Sequence, residues 1–436
     1  MFQTIVNAFK IKEVRRKILI TIALLFVYRL GCHIPVPGAA IFEEGLKEVP
    51  FLNLMNAISG SALQYGTFFA MGIGPYINAS IIIQLLSVGI PALERLSKQG
   101  EEGRRKINTY TRILTLVLAI AQSIGIVVTF SNMEGGGIAF NQLFGAEGFN
   151  KILSYAFLVI VYTAGAALTM WVGERITDYG ISNGISLLIF AGIIATAGKL
   201  IANEVAKLFN PATALTSMWV LIGFALAAIV IFAAIVTVNS AERKIPVQYA
   251  KQVKGRKMYG GQSTHIPIKV NASGVMPLIF SFAILSFPDM IMNLVGVKDN
   301  WWIRNVGTGS WPYMILLCLF ILFFSYFYNQ IQFNPDDISK SIQGNGGFIP
   351  GTRPGKPTAD YLKRVANRIT LFGAIFLALV ALVPSILFKA LDQSGTLGLV
   401  NVFSATGLLI IVSVALEFEQ ALQSQIMMKN YKGFLK

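Results

Sequence analysis

The sequence predicts an all-α polytopic membrane protein of ten transmembrane helices, and three observations carry that prediction. Of its 436 residues only 13% are charged and 54% are hydrophobic, with mean hydropathy +0.63, against about 25% charged in an ordinary soluble domain. Apolar runs of about 20 residues, long enough to cross a bilayer as a helix, recur at 18–34, 71–90, 113–131, 152–172, 181–200, 215–238, 270–288, 311–330, 369–389 and 398–416. The segments on the N-terminal side of the membrane (1–17, 91–112, 173–180, 239–269, 331–368 and 417–436) hold 28 of the 36 Lys and Arg. That bias places both termini in the cytoplasm. It also assigns the net charge of +15 to one membrane face, not to a nucleic-acid-binding domain.

Residues 1–17 carry five basic residues and no small-residue cleavage site, the pattern of a retained cytoplasmic end. The first span closes with GCHIPVPG, where Pro35 and Pro37 stop the helix. The stretch PFLNLMNAISGSALQYG that follows is apolar but too short to cross. It reads either as an external amphipathic helix or as a re-entrant segment, which is tolerated only where protein or water surrounds it. The second span, MGIGPYINASIIIQLLSVGI, is uncharged yet holds Gly72, Gly74, Pro75, Asn78 and Ser80. Gly and Pro are expected to weaken or kink a helix here, which suits a span that lines something wet or moving.

Pro91–Arg112 reads as a solvated cytoplasmic loop. Spans three and four are apolar, and Trp171 and Arg175 mark an interfacial end. Before span five, Asn183-Gly184 predicts a turn or a tightly packed helix start. The loop 239–269 carries seven basic residues, and its alternating aliphatics around Gly260 and Gly261 suggest a protruding hairpin. Solvated charge and a docking surface both account for it. Span seven begins VNASGVMPLIF, where Asn271-Ala272-Ser273, Gly274 and Pro277 echo Asn78-Ala79-Ser80, Gly74 and Pro75. Each echo is second in its set of five spans. Gly/Pro-interrupted spans in corresponding positions point to a central site between inverted repeats. Span eight contains LFFSYFYNQ, suiting an aromatic belt at the inner interface. Loop 331–368 is expected to be irregular and extended with Arg353 at its tip; Pro350 and Pro357 spoil the phosphate-loop pattern there.

No charge lies well inside a span; Glu174, Asp289 and Glu417 sit at ends. Coupled solute transporters usually hold intramembrane charges, and no Ser/His/Asp set or HExxH supplies an intramembrane enzyme. Cys32 and Cys318 read as small buried hydrophobes, not a disulfide framework. His33 and His265 have no acidic or Cys cluster beside them, so neither a metal nor another cofactor is expected.

Four segments in order among the ten spans, GIGPYINASIIIQLL, ISNGISLLIFAGI, YGGQSTHIPIKVNASGVMPLIF and GGFIPGTRPGKPTADYLKR, resemble bacterial SecY, the family of channel subunits of the Sec translocon. The resemblance spans essentially the whole chain. It implies a channel, not an enzyme, in the bacterial plasma membrane, passing unfolded polypeptides across and releasing transmembrane segments laterally into lipid. A secondary solute transporter is the alternative, and an insertase without a through-pore a third reading. Two inverted five-helix halves, 1–200 and 201–436, would hinge between spans five and six and part between spans two and seven. The resemblance carries a pore ring onto Ile73, Ile77, Ile185, Ile189, Ile279 and Ile410, and a lateral gate onto Asn78, Ser80, Gln84, Asn271, Ser273 and Phe287. A plug falls on about 53–66, which favours the re-entrant reading. Each Ile pair four residues apart shares one helix face, and an apolar constriction dewets without bonding a passing chain. The ribosome, through its RNA, and the ATPase SecA would dock on the two large cytoplasmic loops, chiefly at Arg256, Lys257 and Arg353. Lys257 stands where relatives often have a second Arg and lacks that side chain's bidentate fork. SecE and SecG subunits, signal peptides, nascent chains and membrane lipid complete the implied partners.

Overall fold

The computed structural model describes residues 2–39, 55–131, 149–209, 214–249, 252–254, 257–259, 263–271, 274–295, 301–306, 310–391 and 405–433. After the short α1 (Phe2–Lys10), ten helices carry the ten predicted spans. They are α2 (Lys12–Gly31), α3 (Gly74–Gly89), α5 (Glu101–Ser131), α6 (Phe149–Tyr179), α7 (Gly184–Lys207), α8 (Ala214–Ser240), α9 (Met276–Val295), α11 (Trp311–Gln332), α13 (Lys356–Leu391) and α14 (Ala405–Gly433). The shorter α4 (Pro91–Lys98), α10 (Trp301–Val306) and α12 (Pro335–Gly344) connect them. Among the described residues five helices are long and apolar enough to cross a membrane, and α3 with α4 makes a sixth, bent by 106°.

The expected kinks in spans two and seven are helix starts instead. Gly72 and Ile73 precede α3, whose second residue is Pro75, and Gly274 precedes α9, whose second residue is Pro277. Proline is tolerated there because its missing amide is one that a first turn leaves unpaired anyway. The echoed motifs therefore set where two helices begin.

Segment 91–112, read as a solvated loop, and segment 331–368, read as irregular and extended, are both largely helical. Residues 91–112 form α4 and the first turns of α5, where Glu101 and Glu102 favour the helix N-terminus and pair with Arg105 and Lys106 at 3.3 and 3.7 Å, i to i+4. Segment 331–368 folds as α12 and the start of α13 around one short strand. The hairpin expectation for 239–269 holds: β1 (Glu242–Tyr249) pairs with β4 (Ser263–Lys269), and β2 (Gln252–Lys254) with β3 (Lys257–Tyr259). Strand β5 (Gly347–Phe348) adds to the other edge of β1, so the two cytoplasmic loops share one sheet. Val270 N–H donates to Ala241 O at 3.0 Å, which makes Arg243↔Ile268, Ile245↔Ile266 and Val247↔Thr264 the hydrogen-bonded pairs. Pro246 and Pro267 fall between them, where their missing amides cost the ladder nothing and Pro267 blunts the free edge of β4. Ile245, Val247, Ile268, Ile342, Ile349 and Leu362 bury together beneath the sheet.

Two apolar cores lie on either side of the chain's midpoint. Leu63, Met71, Ala119, Val127, Leu158 and Ala166 join segment 55–71 to α5 and α6. Ile235, Leu278, Leu285, Ile321, Leu377 and Leu409 join α8, α9, α11, α13 and α14. Helices α6 and α7 touch backbone to backbone: a Cβ on Gly184 would stand 2.0 Å from Gly173 O. Of the two readings of Asn183-Gly184, the tightly packed helix start is the one found, with Asn183 Oδ1 capping α7 by accepting Ile185 N–H at 3.0 Å.

Candidate functional site

All six isoleucines assigned to the ring belong to one apolar cluster. Ile73, Ile189 and Ile410 are buried in it, and Ile77, Ile185 and Ile279 are half-buried against it. They arrive on four helices, α3 and α7 before the midpoint and α9 and α14 after it. Ile73 caps the start of α3 and Ile279 lies in the first turn of α9, so both helix starts converge on the ring. Ile73 Cδ1 and Ile185 Cγ1 meet over Gly173, each within 3.5 Å of where its Cβ would be.

One side of this cluster opens into a cavity of about 360 Å³. Ile189, Ile279 and Ile410 line it together with other apolar residues such as Val275, Met276 and Val414, and Asn239, Lys269, Asn271, Ser413, Glu417 and Gln420 are among its polar lining. Asn271 Nδ2 donates to Asn239 Oδ1 (2.8 Å), and Asn239 Nδ2 to Ser413 Oγ (2.9 Å). At the mouth Lys269 Nζ donates to Gln420 Oε1 at 2.9 Å. Burial raises the carboxyl of Glu417, one residue past the predicted tenth span, above the usual range, with Lys269 opposing. A cavity of mixed lining, roomy enough for several waters, thus adjoins the isoleucine cluster.

Segment 55–66 sits against the ring. Ile58 and Ala62 belong to the ring's own cluster, and Met55 and Leu63 to the core of α5 and α6. It packs between the isoleucine cluster and the core of α5 and α6. A single helical turn at 55–58 ends in a tight turn at Gly60-Ser61, both at positive φ. Residues 53 and 54 lie outside the described residues.

Around the gate positions the polar contacts differ from a direct bridge between spans two and seven. Gln84 Nε2 donates to Ser80 Oγ (3.3 Å), but its Oε1 accepts from the Tyr328 hydroxyl (3.2 Å) on α11. Asn271 bonds α8, as above, and Asn78 is half-buried on α3. What joins α3 to α9 is apolar: Ile77, Ile81 and Leu85 cluster with Met276, Phe280 and Ile284, backed by Phe324 and Tyr328. Phe280 stands edge-on to Phe324 and Tyr328, with centroids 5.7 and 5.6 Å away. The aromatic run of span eight therefore splits: Phe323 faces outward, but Phe320, Phe324 and Tyr328 pack inward. Their i, i+4, i+8 spacing was the signal for that inward face. Ser273 and the side chain of Phe287 lie outside the described residues.

Among the docking positions, Arg353 is exposed in the turn between β5 and α13, beside Gly351 and Gly355 at positive φ. The main chain of Lys257 pairs with Lys254 at the end of the β2–β3 hairpin. Arg256 and the side chain of Lys257 lie outside the described residues.

A family model described as SecY matches residues 67–419. The chain belongs to the SecY family. Over 99% of both chains it is 41% identical to the protein translocase subunit SecY of Corynebacterium glutamicum. Two solved structures share the fold, each covering 94% of this chain and 92% of theirs. One is a SecY whose plug domain is described as stabilising the closed state of the translocation channel and maintaining a membrane seal (TM-score 0.66, 19% identity). The other is Sec61 in the canine ribosome-channel complex from the endoplasmic reticulum (TM-score 0.64, 18% identity). SecY membership makes the chain a multi-pass membrane protein of a translocase family, not an enzyme.

If the isoleucine cluster is a dewetted constriction, one amide in it will hold water. Ile279→Asn and Ile410→Asn are each expected to raise ion leak through planar bilayers at least several-fold; unchanged conductance would remove these residues from the constriction.

Proposed function

We propose that the chain is the passive protein-conducting channel of a Sec translocon, passing unfolded polypeptides across the membrane and releasing transmembrane segments sideways into lipid. One observation carries this reading. Six isoleucines from four helices, two in each half, form an apolar collar that adjoins a cavity of mixed lining and segment 55–66. A polypeptide has no fixed sequence, so its conduit can supply neither fixed hydrogen bonds nor fixed charges; a flexible aliphatic collar seals around any side chain and holds none. The halves are taken as 1–200 and 201–436, with residues 55–66 as the plug.

The lateral gate is the seam between α3 and α9. Its contacts are aliphatic and aromatic on the α9 side, and the Ser80–Gln84–Tyr328 chain makes a polar bridge to α11. Parting such a seam exposes apolar surface to lipid tails, which are as apolar as what it leaves, so it costs far less in a membrane than in water. Both termini are placed in the cytoplasm of a bacterium, on the strength of the Lys and Arg bias and the bacterial relatives. SecE, SecG and SecA are the partners the family implies.

The shared three-stranded sheet supports docking at the cytoplasmic face. It ties loop 239–269 to loop 331–368, so a ribosome or a driving ATPase that pushes on one moves the other. Ribosomal RNA binding there would weaken steeply with salt.

Two outcomes test the reading. With Cys32 and Cys318 replaced by Ala, Ile81→Cys and Phe280→Cys should be bridged efficiently by a short thiol cross-linker at rest and poorly once an arrested polypeptide occupies the channel. Equal yields in both states would reject a gate at this seam. Arg353→Glu should impair ATPase-driven translocation while leaving insertion of the channel itself intact, and normal translocation would remove Arg353 from the docking surface.

A further inference from the structure

We propose that Arg29 and Lys199 are the residues that hold the plug in its seat, and that they hold it to the N-terminal half alone, so that parting the halves does not by itself break the seal. The inference rests on the reading of residues 55–66 as a plug.

The directional bonds of this segment share one feature. Arg29 Nη1, near the end of α2, donates to Gly60 O at 3.1 Å, and Cys32 Sγ, one turn further, approaches Ser59 O at 3.6 Å. Thr196 Oγ1 on α7 donates to Ala57 O at 3.2 Å. Lys199, one turn on, donates its ammonium to the Tyr65 hydroxyl and lies 4.5 Å from the centre of that ring. Gly192 lets the segment come this close: a Cβ there would stand 1.9 Å from Ile58 O. Helices α2 and α7 both belong to the half that ends near residue 200. Toward the other half, the described contacts of the plug include Ile58 and Ala62, which share the ring's apolar cluster with Ile279 and Ile410.

The charged donors dominate this set. Hydrogen bonds from an ionised donor are roughly twice as strong as neutral ones, and a cation over a phenol ring adds a further attraction. Arg29 grips the segment at its turn, Gly60, and Lys199 at its exit, Tyr65, while Thr196 and Cys32 contribute neutral bonds ahead of the turn, at Ala57 and Ser59. Cations placed near the outer ends of spans one and five are costly in a membrane, and the plug carbonyl and phenol give them acceptors. Both cations are only half-buried, so water can replace the plug as their partner and the latch can release. Gate opening and plug release are therefore separable steps: lateral passage of a transmembrane segment needs the first, and passage across the membrane needs both.

The full chain, reconstituted with its partner subunits in planar bilayers, tests this. Arg29→Gln and Lys199→Met should each raise resting ion leak several-fold, and the double variant should approach a chain deleted for 57–65, while Arg29→Lys stays near the parent. In the double variant lacking Cys318, a disulfide between native Cys32 and Ser59→Cys should restore the seal, which it would not do for a misfolded channel. Substituted channels that stay as tight as the parent while the deletion leaks would overturn the latch. A deletion that does not leak would overturn the plug reading and the latch with it. With the disulfide locked, a signal peptide should still part Ile81→Cys from Phe280→Cys; a gate held shut by the locked plug would refute its attachment to one half alone.

Discussion

A channel for polypeptides must hold back water and ions with a surface that binds nothing, and the surface we assign to that task is a single patch of isoleucine on helices from both sides of the chain's midpoint. Aliphatic side chains exclude water without directional bonds, so the patch can widen and re-close around groups of any shape. The rest of the architecture follows from presenting that patch. Helices α3 and α9 begin at it, because Gly72-Ile73-Gly74-Pro75 and Gly274 to Pro277 permit a helix to start there. Helix α7 brings Ile185 and Ile189 to it after a capped turn at Asn183, and α14 brings Ile410.

Polarity is arranged around the patch unequally. The cavity on one side is lined by amides, hydroxyls and the Lys269, Gln420 and Glu417 groups at its mouth. Its Asn271–Asn239–Ser413 chain ties α8, the start of α9 and α14 together. Segment 55–66, which touches the patch through Ile58 and Ala62, is bonded by side chains of α2 and α7. Each half is thus braced internally by hydrogen bonds, whereas the described contacts between α3 and α9 are apolar. The Tyr328–Gln84 hydrogen bond crosses between α11 and α3, so the seam we propose to part has a described polar tie beside its apolar contacts.

Much of this was legible in the sequence because it is periodic. Spans follow from run length, and the Ile73/Ile77 and Ile185/Ile189 pairs from i, i+4 spacing. The echo between spans two and seven marked two helices of corresponding position. Selecting these six isoleucines from the many in the spans required the family resemblance, since nothing local distinguishes them. The illegible part is what depends on long-range approach. Pro75 and Pro277 look alike whether they kink a helix or start one; only the path of the preceding residues decides. Arg29 meeting Gly60, Lys199 meeting Tyr65, and Gln84 turning to Tyr328 are pairings across 31, 134 and 244 residues. The helices within the solvated loop 91–112 and within 331–368, expected to be irregular, are hidden because Gly, Pro and charge suit loops and short amphipathic helices alike.

The claim most open to direct test is that the isoleucine collar is the path of the translocating chain. A polypeptide arrested midway, carrying one cysteine at mid-membrane depth, can be oxidised against channels with single cysteines at Ile73, Ile77, Ile185, Ile189, Ile279 or Ile410, or at the outward-facing Leu371, Phe372 or Ile375 of α13. Disulfides should form with the collar positions from both halves and not with those on α13. Bonding to α13 as readily as to the collar, or to the collar of one half only, would contradict the account.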